Sequence, residues 1–164
     1  MELVISAKDF KYYTMLKKVL YDLELADKNH WWLISDIVAY PHKKEYEELI
    51  DKDNYLLIST PDLVKMLEDD DFQWIWGVFS VIPAAYSKEE ILNYALPQMD
   101  DLQEGQYNPF ADAPRLQHPL AKCEIYAYDS TCMFMITDDA ALLSRFKESY
   151  PKFATEFSAF HWGY

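Results

Sequence analysis

Residues Phe72 to Ile82 constrain the fold of this chain more than any other stretch. The even positions Phe72, Trp74, Trp76, Val78 and Ile82 are apolar, and so are the odd positions Ile75, Phe79 and Val81. Successive side chains of a strand point to opposite faces, so this segment reads as a central strand covered on both sides. Gly77 in its middle predicts a bulge or a close approach by other atoms.

Strand and helix signals alternate around this centre. Glu2 to Ile5 reads as a short strand, followed by a capping signal at Ser6 and Asp9. Phe10, Tyr13, Leu16, Leu20 and Leu23 then recur at helical spacing, which predicts a helix over 7–24. Trp31 to Tyr40 is apolar but interrupted at Ser35-Asp36, as in one bulged strand or a tight hairpin, and Lys43 to Ile50 is a weak, charged helix signal. Tyr55 to Ile58 is strand-like. Ser59-Thr60-Pro61 then opens a short helix ending near Glu68, because a hydroxyl cap suits the start and proline's missing N–H would be unpaired there anyway.

Ser87 and Glu90 form a second capping box, for a helix to about Leu96. Residues 97–122 contain Pro97, Pro109, Pro114 and Pro119 without any period. An irregular connection of that length is usually a functional or poorly ordered loop. A hairpin follows, Cys123–Tyr128 and Thr131–Ile136; Thr137-Asp138 then caps a helix, and Pro151 restarts a terminal one along Phe153, Phe157 and Phe160.

Length suits one domain, 1–164, with an α+β architecture. The expectation is a mixed or antiparallel sheet of about five to six strands, helices mainly on one face, and a C-terminal hairpin plus helix. A doubly wound α/β sheet is the alternative, and the hairpin speaks against it, since a tight turn forces antiparallel pairing.

With Asp129-Ser130 as a two-residue turn, position 127 faces 132 and position 123 faces 136. Cys123, Ile125, Ala127, Cys132, Phe134 and Ile136 then share a core face, with the cysteines roughly 13 Å apart along the strand, too far for a disulfide. Glu124, Tyr126, Tyr128, Met133 and Met135 share the other, and its tyrosines and methionines suit either cover by a helix or an interface.

Charge narrows the partners. The chain carries a net −13, and between Met66 and Pro114 ten carboxylates stand against one cation, Lys88. Phosphate backbones and anionic membranes repel such a surface, so neither nucleic acid nor membrane is expected. No apolar run is long enough for a span, and Met1-Glu2 lacks the basic start of a signal peptide. With two cysteines only, the expected location is cytoplasmic.

No motif for chemistry emerges. His30, His42, His118 and His161 lack metal-ligand spacing, the cysteines lack C-x-x-C spacing, and three glycines leave no phosphate-cradling loop, so no cofactor or metal is expected. Asp69-Asp70-Asp71 lies where a helix should end and reads as a solvated turn or a contact for a basic partner. Asp36, between Leu33-Ile34 and Ile37-Val38, makes a turn or bulge, or else projects from a buried strand as a carboxyl of raised pKa.

The expectation is therefore a binding protein rather than an enzyme. An acidic, aromatic-bearing surface of Asp69, Asp70, Asp71, Asp100, Asp101 and Glu104, with Tyr107 and Phe110 as anchors, would meet a basic protein partner. Small acidic inhibitor or immunity proteins that neutralise basic toxins follow this logic, an analogy of composition alone. A second reading places a small-molecule or enzymatic pocket under the 97–122 loop, lined by Arg115, His118, Tyr126 and Tyr128 together with Tyr107 and Phe110. There Arg115 has its simplest role as a salt bridge to surrounding acids. A third reading buries the Tyr126/Tyr128/Met133/Met135 face in a homodimer.

Overall fold

The computed structural model describes residues 1–6, 14–99, 106–130 and 132–156. In chain order they form β1 (Glu2–Ser6), α1 (Leu16–Asp22), β2 (His30–Ala39), α2 (Lys44–Asp51), β3 (Tyr55–Ser59) and α3 (Thr60–Asp69). Then come β4 (Trp74–Pro83), α4 (Lys88–Leu92), β5 (Cys123–Tyr128), β6 (Cys132–Thr137), α5 (Ala140–Ser149) and β7 (Phe153–Ala154). The strands make one seven-stranded sheet in the order β3-β2-β4-β5-β6-β1-β7, with every pairing antiparallel. The architecture is α+β, with more strands than the pattern predicts.

The doubly apolar run is the central strand β4, paired to β2 on one side and β5 on the other. The β2–β4 ladder bulges at Gly77: between the Ser35–Val78 and Val38–Trp76 pairs, two residues of β2 oppose this one glycine, with the extra residue on β2, where Asp36 takes φ 53°. A Cβ at Gly77 would lie 3.2 Å from the Phe79 ring, so that ring also needs the space. The interruption at Asp36 is thus one bulged strand and not a hairpin.

The first face of the sheet carries one continuous apolar cluster. Leu16, Leu20 and Leu23 around α1, Leu63 and Leu67 of α3, and Leu142 and Phe146 of α5 pack onto Trp32, Ile34, Phe79, Ile125 and Met135. Burying each such side chain stabilises the fold by about 1.5–3 kcal/mol before entropy is counted. Ile50 of α2 joins the same cluster, so four of the five helices cover this face. Ser59 Oγ caps α3 by accepting from Asp62 N, with proline in the first turn as expected.

Four local expectations are corrected, the first being α4, expected to reach about Leu96, which ends at Leu92 with Asn93 as its C-cap. The helix predicted from residue 7 begins at Leu16, because Met15 is extended and bridges to Gln73; Phe10 and Tyr13 lie outside the described residues. Asp139, and not Thr137-Asp138, caps α5, with its Oδ1 accepting from Ala141 N and Leu142 N. Phe153, predicted to lie on a terminal helix, sits in β7 and pairs with Ser6 of β1; this edge strand is the seventh. Phe157 and Phe160 lie outside the described residues.

The hairpin correction matters most. Tyr128 faces Cys132, Ala127 faces Met133 and Cys123 faces Thr137, one residue out of the predicted register. Three positions separate the paired Tyr128 and Cys132, and of these Asp129 and Ser130 both take positive φ. A slip of one residue transfers a whole strand to the opposite face. Met133 and Met135 therefore join Cys123, Ile125 and Ala127 under the helices, while Cys132, Phe134 and Ile136 lie with Tyr126 and Tyr128 on the second face. The proposed Tyr126/Tyr128/Met133/Met135 dimer face does not exist: the four residues divide between two faces, and all but Tyr128 are buried. The two cysteines are buried free thiols, kept apart by the sheet itself.

The second face is covered by α4 and by described irregular chain within 93–99 and 106–122. Met99, Phe110 and Leu116 pack with Leu3, Ile5, Val78, Tyr126 and Phe134. Leu96, Leu120 and Ala121 pack with Leu33, Ile82 and Ile91. No helix among the described residues is long and apolar enough to cross a membrane.

Candidate functional site

The acidic run at the end of α3 is one turn with three different environments. Asp70 caps the helix and is buried at 5% exposure. Its Oδ2 accepts from the backbone N–H groups of His42 (2.9 Å) and Lys43 (2.8 Å), and His42 Nδ1 donates to Oδ1 at 2.7 Å. Burial alone would raise its pKa, but the His42 ring and these two amides outweigh it and hold the carboxyl below its ordinary value. Asp70 thus ties α3 to the start of α2. Asp69 takes Lys43 Nζ at 2.6 Å and the Tyr46 hydroxyl at 2.8 Å, and its pKa is lowered by those two donors. Asp71 is exposed, and partial burial raises its pKa.

The expected anchors lie elsewhere. Tyr107 is buried, its hydroxyl accepting from Arg115 N at 3.1 Å. Phe110 is half-buried, edge-on to Tyr128 (4.7 Å) and Phe134 (5.6 Å) on the second face. Asp69 to Asp71 end a helix of the first face, so the structure does not gather these residues into one surface. Asp100, Asp101 and Glu104 lie outside the described residues.

The residue that sequence reasoning missed is Glu124. It stands on β5 opposite Ser80, fully buried in the middle of the second face. Its oxygens accept from Gln117 N (2.9 Å), His118 N (2.8 Å), the Tyr126 hydroxyl (2.6 Å) and Ser80 Oγ (3.3 Å). Burial pushes its pKa up, against the pull of these donors. One signal was present: an acid in an otherwise apolar strand, beside a serine in the most apolar strand of the chain. In the correct register the two become cross-strand neighbours.

His118 belongs to this centre and holds no spare valence. Its Nε2 reaches the Ile91 carbonyl at 3.0 Å and must donate there, so Nδ1 is the acceptor for Leu120 N at 3.3 Å. That fixes one neutral tautomer, and burial lowers the ring's pKa. Gln117 completes the frame, donating to Tyr126 Oη and to the Gln98 carbonyl while its Oε1 accepts from Gln98 N. Arg115 does not converge with His118. It is exposed, and its guanidinium lies 4.6 Å over the Tyr107 ring.

Two open clefts flank residues Leu96–Gln98. One, of about 580 Å³, is lined by Gln98, Gln106, Tyr107, Arg115 and Gln117. The other, of about 540 Å³, lies at the β2 bulge and is lined by Ser35, Asp36, Asp51 and Asn54. Asp36 there accepts from Met99 N at 2.7 Å, so its first role is to hold the bulge to the covering chain. Of the residues predicted to line a pocket under the loop, Tyr107 and Arg115 line the first cleft, whereas His118, Tyr126 and Tyr128 line neither, and Glu124 accepts from His118 N and the Tyr126 hydroxyl.

A third feature is an edge. β3 closes one side of the sheet, and its outer side pairs with no described strand. It runs between α2 and α3, and from Lys44 to Asp71 the chain holds ten carboxylates against three lysines. Glu45, Glu47, Glu48, Asp51, Asp53, Asp62, Glu68, Asp69 and Asp71 are all exposed. The chain matches no family model, no curated protein and no solved structure.

Proposed function

We propose that this protein is a binding module, in the manner of a small acidic inhibitor, that takes a basic, extended segment of a partner protein along the edge of β3. The observation that carries this reading is the coincidence of the open five-residue edge with the stretch Lys44–Asp71, which holds a net −7 of the chain's −13. An added strand would gain backbone hydrogen bonds, and the flanking acids would steer a cationic segment towards it. Alternation gives the preferred pattern. Leu56 and Ile58 lie on the helix-covered face and Tyr55 and Leu57 on the other. Cationic side chains of the added strand would therefore point towards the acidic helices, and apolar ones would lie beside Tyr55 and Leu57.

The best-placed titratable groups support binding over catalysis, since Asp70, His118 and Glu124 are each tied into internal hydrogen bonds. Burial pushes the Cys123 thiol up to about 12, which leaves it unreactive at neutral pH. Two buried free thiols also suit a reducing compartment, and we place the protein in the cytoplasm.

The test is titration with a peptide of alternating lysine and valine, read by amide hydrogen exchange. Binding that weakens steeply with salt and protects the amides of residues 55–59 is the expected result. Equal affinity for a glutamate–valine peptide, or binding that leaves those amides unprotected, overturns the reading.

A further inference from the structure

We infer that the cleft holding Arg115 is a second binding site, independent of the β3 edge, for a monocarboxylate with an apolar body. Arg115 stands apart among the cations of this chain. Twenty-eight acids surround it in the sequence, yet its guanidinium forms no ion pair among the described residues. It is instead held in place. Arg115 N donates to the Tyr107 hydroxyl, and the guanidinium rests on the buried Tyr107 ring at 4.6 Å. Stacking occupies one face of the planar group and leaves its fork of N–H donors, which matches a carboxylate in two parallel hydrogen bonds.

The surrounding cleft fits that ligand. Its volume of about 580 Å³ lies within the usual range for small-molecule sites. Among the described residues no carboxylate lines it; the polar walls are the amides of Gln98, Gln106 and Gln117, and Leu96 and Pro97 supply apolar surface. Gln98 is exposed, and its side-chain amide makes no hydrogen bond among the described residues, so it can donate to the same ligand. Gln117 is fixed by its bonds to Gln98 and Tyr126, which keeps the wall rigid.

Charge sets the ligand at one negative unit. A single guanidinium balances a single carboxylate. The adjoining cleft across Leu96–Gln98 carries Asp36 and Asp51, which disfavour a second negative charge nearby. A phosphate dianion is therefore the wrong ligand. The carboxylate can belong to a free small acid or to the C-terminus of a peptide, and the assay separates the two.

The experiment is a titration of the whole chain with benzoate, benzamide, inorganic phosphate, and acetyl-Leu-Phe as free acid and as amide, followed by amide chemical shifts. Benzoate should move the resonances of residues 114–117 and 96–98, while benzamide and phosphate leave them in place. Arg115→Gln should weaken benzoate by about tenfold or more, the expected loss of a charge-assisted pair. Because Arg115 is exposed, that variant should keep the wild-type melting temperature, which is measured alongside. Tighter binding of the acetyl-Leu-Phe acid than of benzoate, lost on amidation, assigns a peptide C-terminus; equal or weaker binding assigns a free acid. Absence of any benzoate shift in the folded protein, or an unchanged response in Arg115→Gln, overturns the inference, whatever happens at the β3 edge.

Discussion

The helix-covered face of the sheet is a single aliphatic and aromatic cluster reaching from Val4 to Leu56, closed by side chains at helical spacing. The opposite face holds two smaller clusters, and between them the Ser80–Glu124 pair receives the backbone of Gln117 and His118. One cover is attached by non-directional burial, distributed over many side chains. The other is an irregular chain that cannot satisfy its own amides, and it is fastened at a few points by directional hydrogen bonds, to Glu124 above all and to Asp36 and Ser35 at the bulge. The first arrangement tolerates adjustment. The second concentrates its stability in a few atoms.

Deleting the carboxylate should have the largest effect. Glu124→Ala leaves the Gln117 and His118 amides and the Tyr126 hydroxyl buried without an acceptor, and should cost about 4 kcal/mol, measured by urea unfolding. The loss should be local in origin. Hydrogen exchange should accelerate first in residues 114–121, before the helices of the other face respond. Uniform acceleration over both faces would break the comparison.

On the first face, Leu63→Ala removes a fully buried side chain from α3 and should cost about 3 kcal/mol through lost burial and the cavity left behind. Here protection should fall across α1, α3 and α5 together, since they share one cluster. A response confined to α3 would show that this face, too, is fastened locally.

Each face also contains one buried carboxylate, and the two should respond to pH with opposite sign. The folded pKa of Asp70 lies below its ordinary value, so its contribution is full at neutral pH and is lost as pH falls through the folded value. That of Glu124 lies above, so the folded state holds the proton longer, and its contribution is greatest in acid and declines as pH rises through the folded value. Below about pH 4 the stability gap between wild type and Asp70→Asn should close as pH falls, and above about pH 5 the gap to Glu124→Gln should narrow as pH rises. Parallel curves would refute the assignment. These shifts should be smaller than either deletion.

The same contrast explains what could be read in advance. β4, the Ser59 and Ser87 caps and the helical stripes of α1 and α3 were legible because each depends on local periodicity or local hydrogen bonds. The hairpin register was not. It depends on whether Thr131 belongs to the turn or the strand, and the apolar content of 132–136 favours neither, since both parities are buried. The slip moved Cys132, Phe134 and Ile136 to the second face; Glu124 lies on its expected face, but its loop partners Gln117 and His118 are recorded by no sequence pattern. Asp70 was misplaced for a related reason: its partners are backbone amides twenty-seven and twenty-eight residues away, and no sequence pattern records them. The open edge of β3 required the strand order, which only the assembled sheet supplies.

The smallest predicted effect concerns the single helix of the second face. Ser87 caps α4 reciprocally with Glu90: Ser87 Oγ accepts from Glu90 N, and Glu90 Oε2 accepts from Ser87 N at 2.7 Å. Ser87→Ala should cost about 1 kcal/mol. A five-residue helix has little intrinsic stability, and α4 contributes Ile91, whose side chain is buried in a small cluster and whose carbonyl receives His118 Nε2. Fraying at Ser87 should therefore reach His118 through Ile91, and from there the amides held by Glu124. The expected signature is faster exchange at Leu120 N, which donates to the same His118 ring, with the amides of α5 unchanged. If Leu120 keeps its protection while α4 frays, the stretch around His118 is anchored by Glu124 independently of α4, and the two fastenings are not a connected pair.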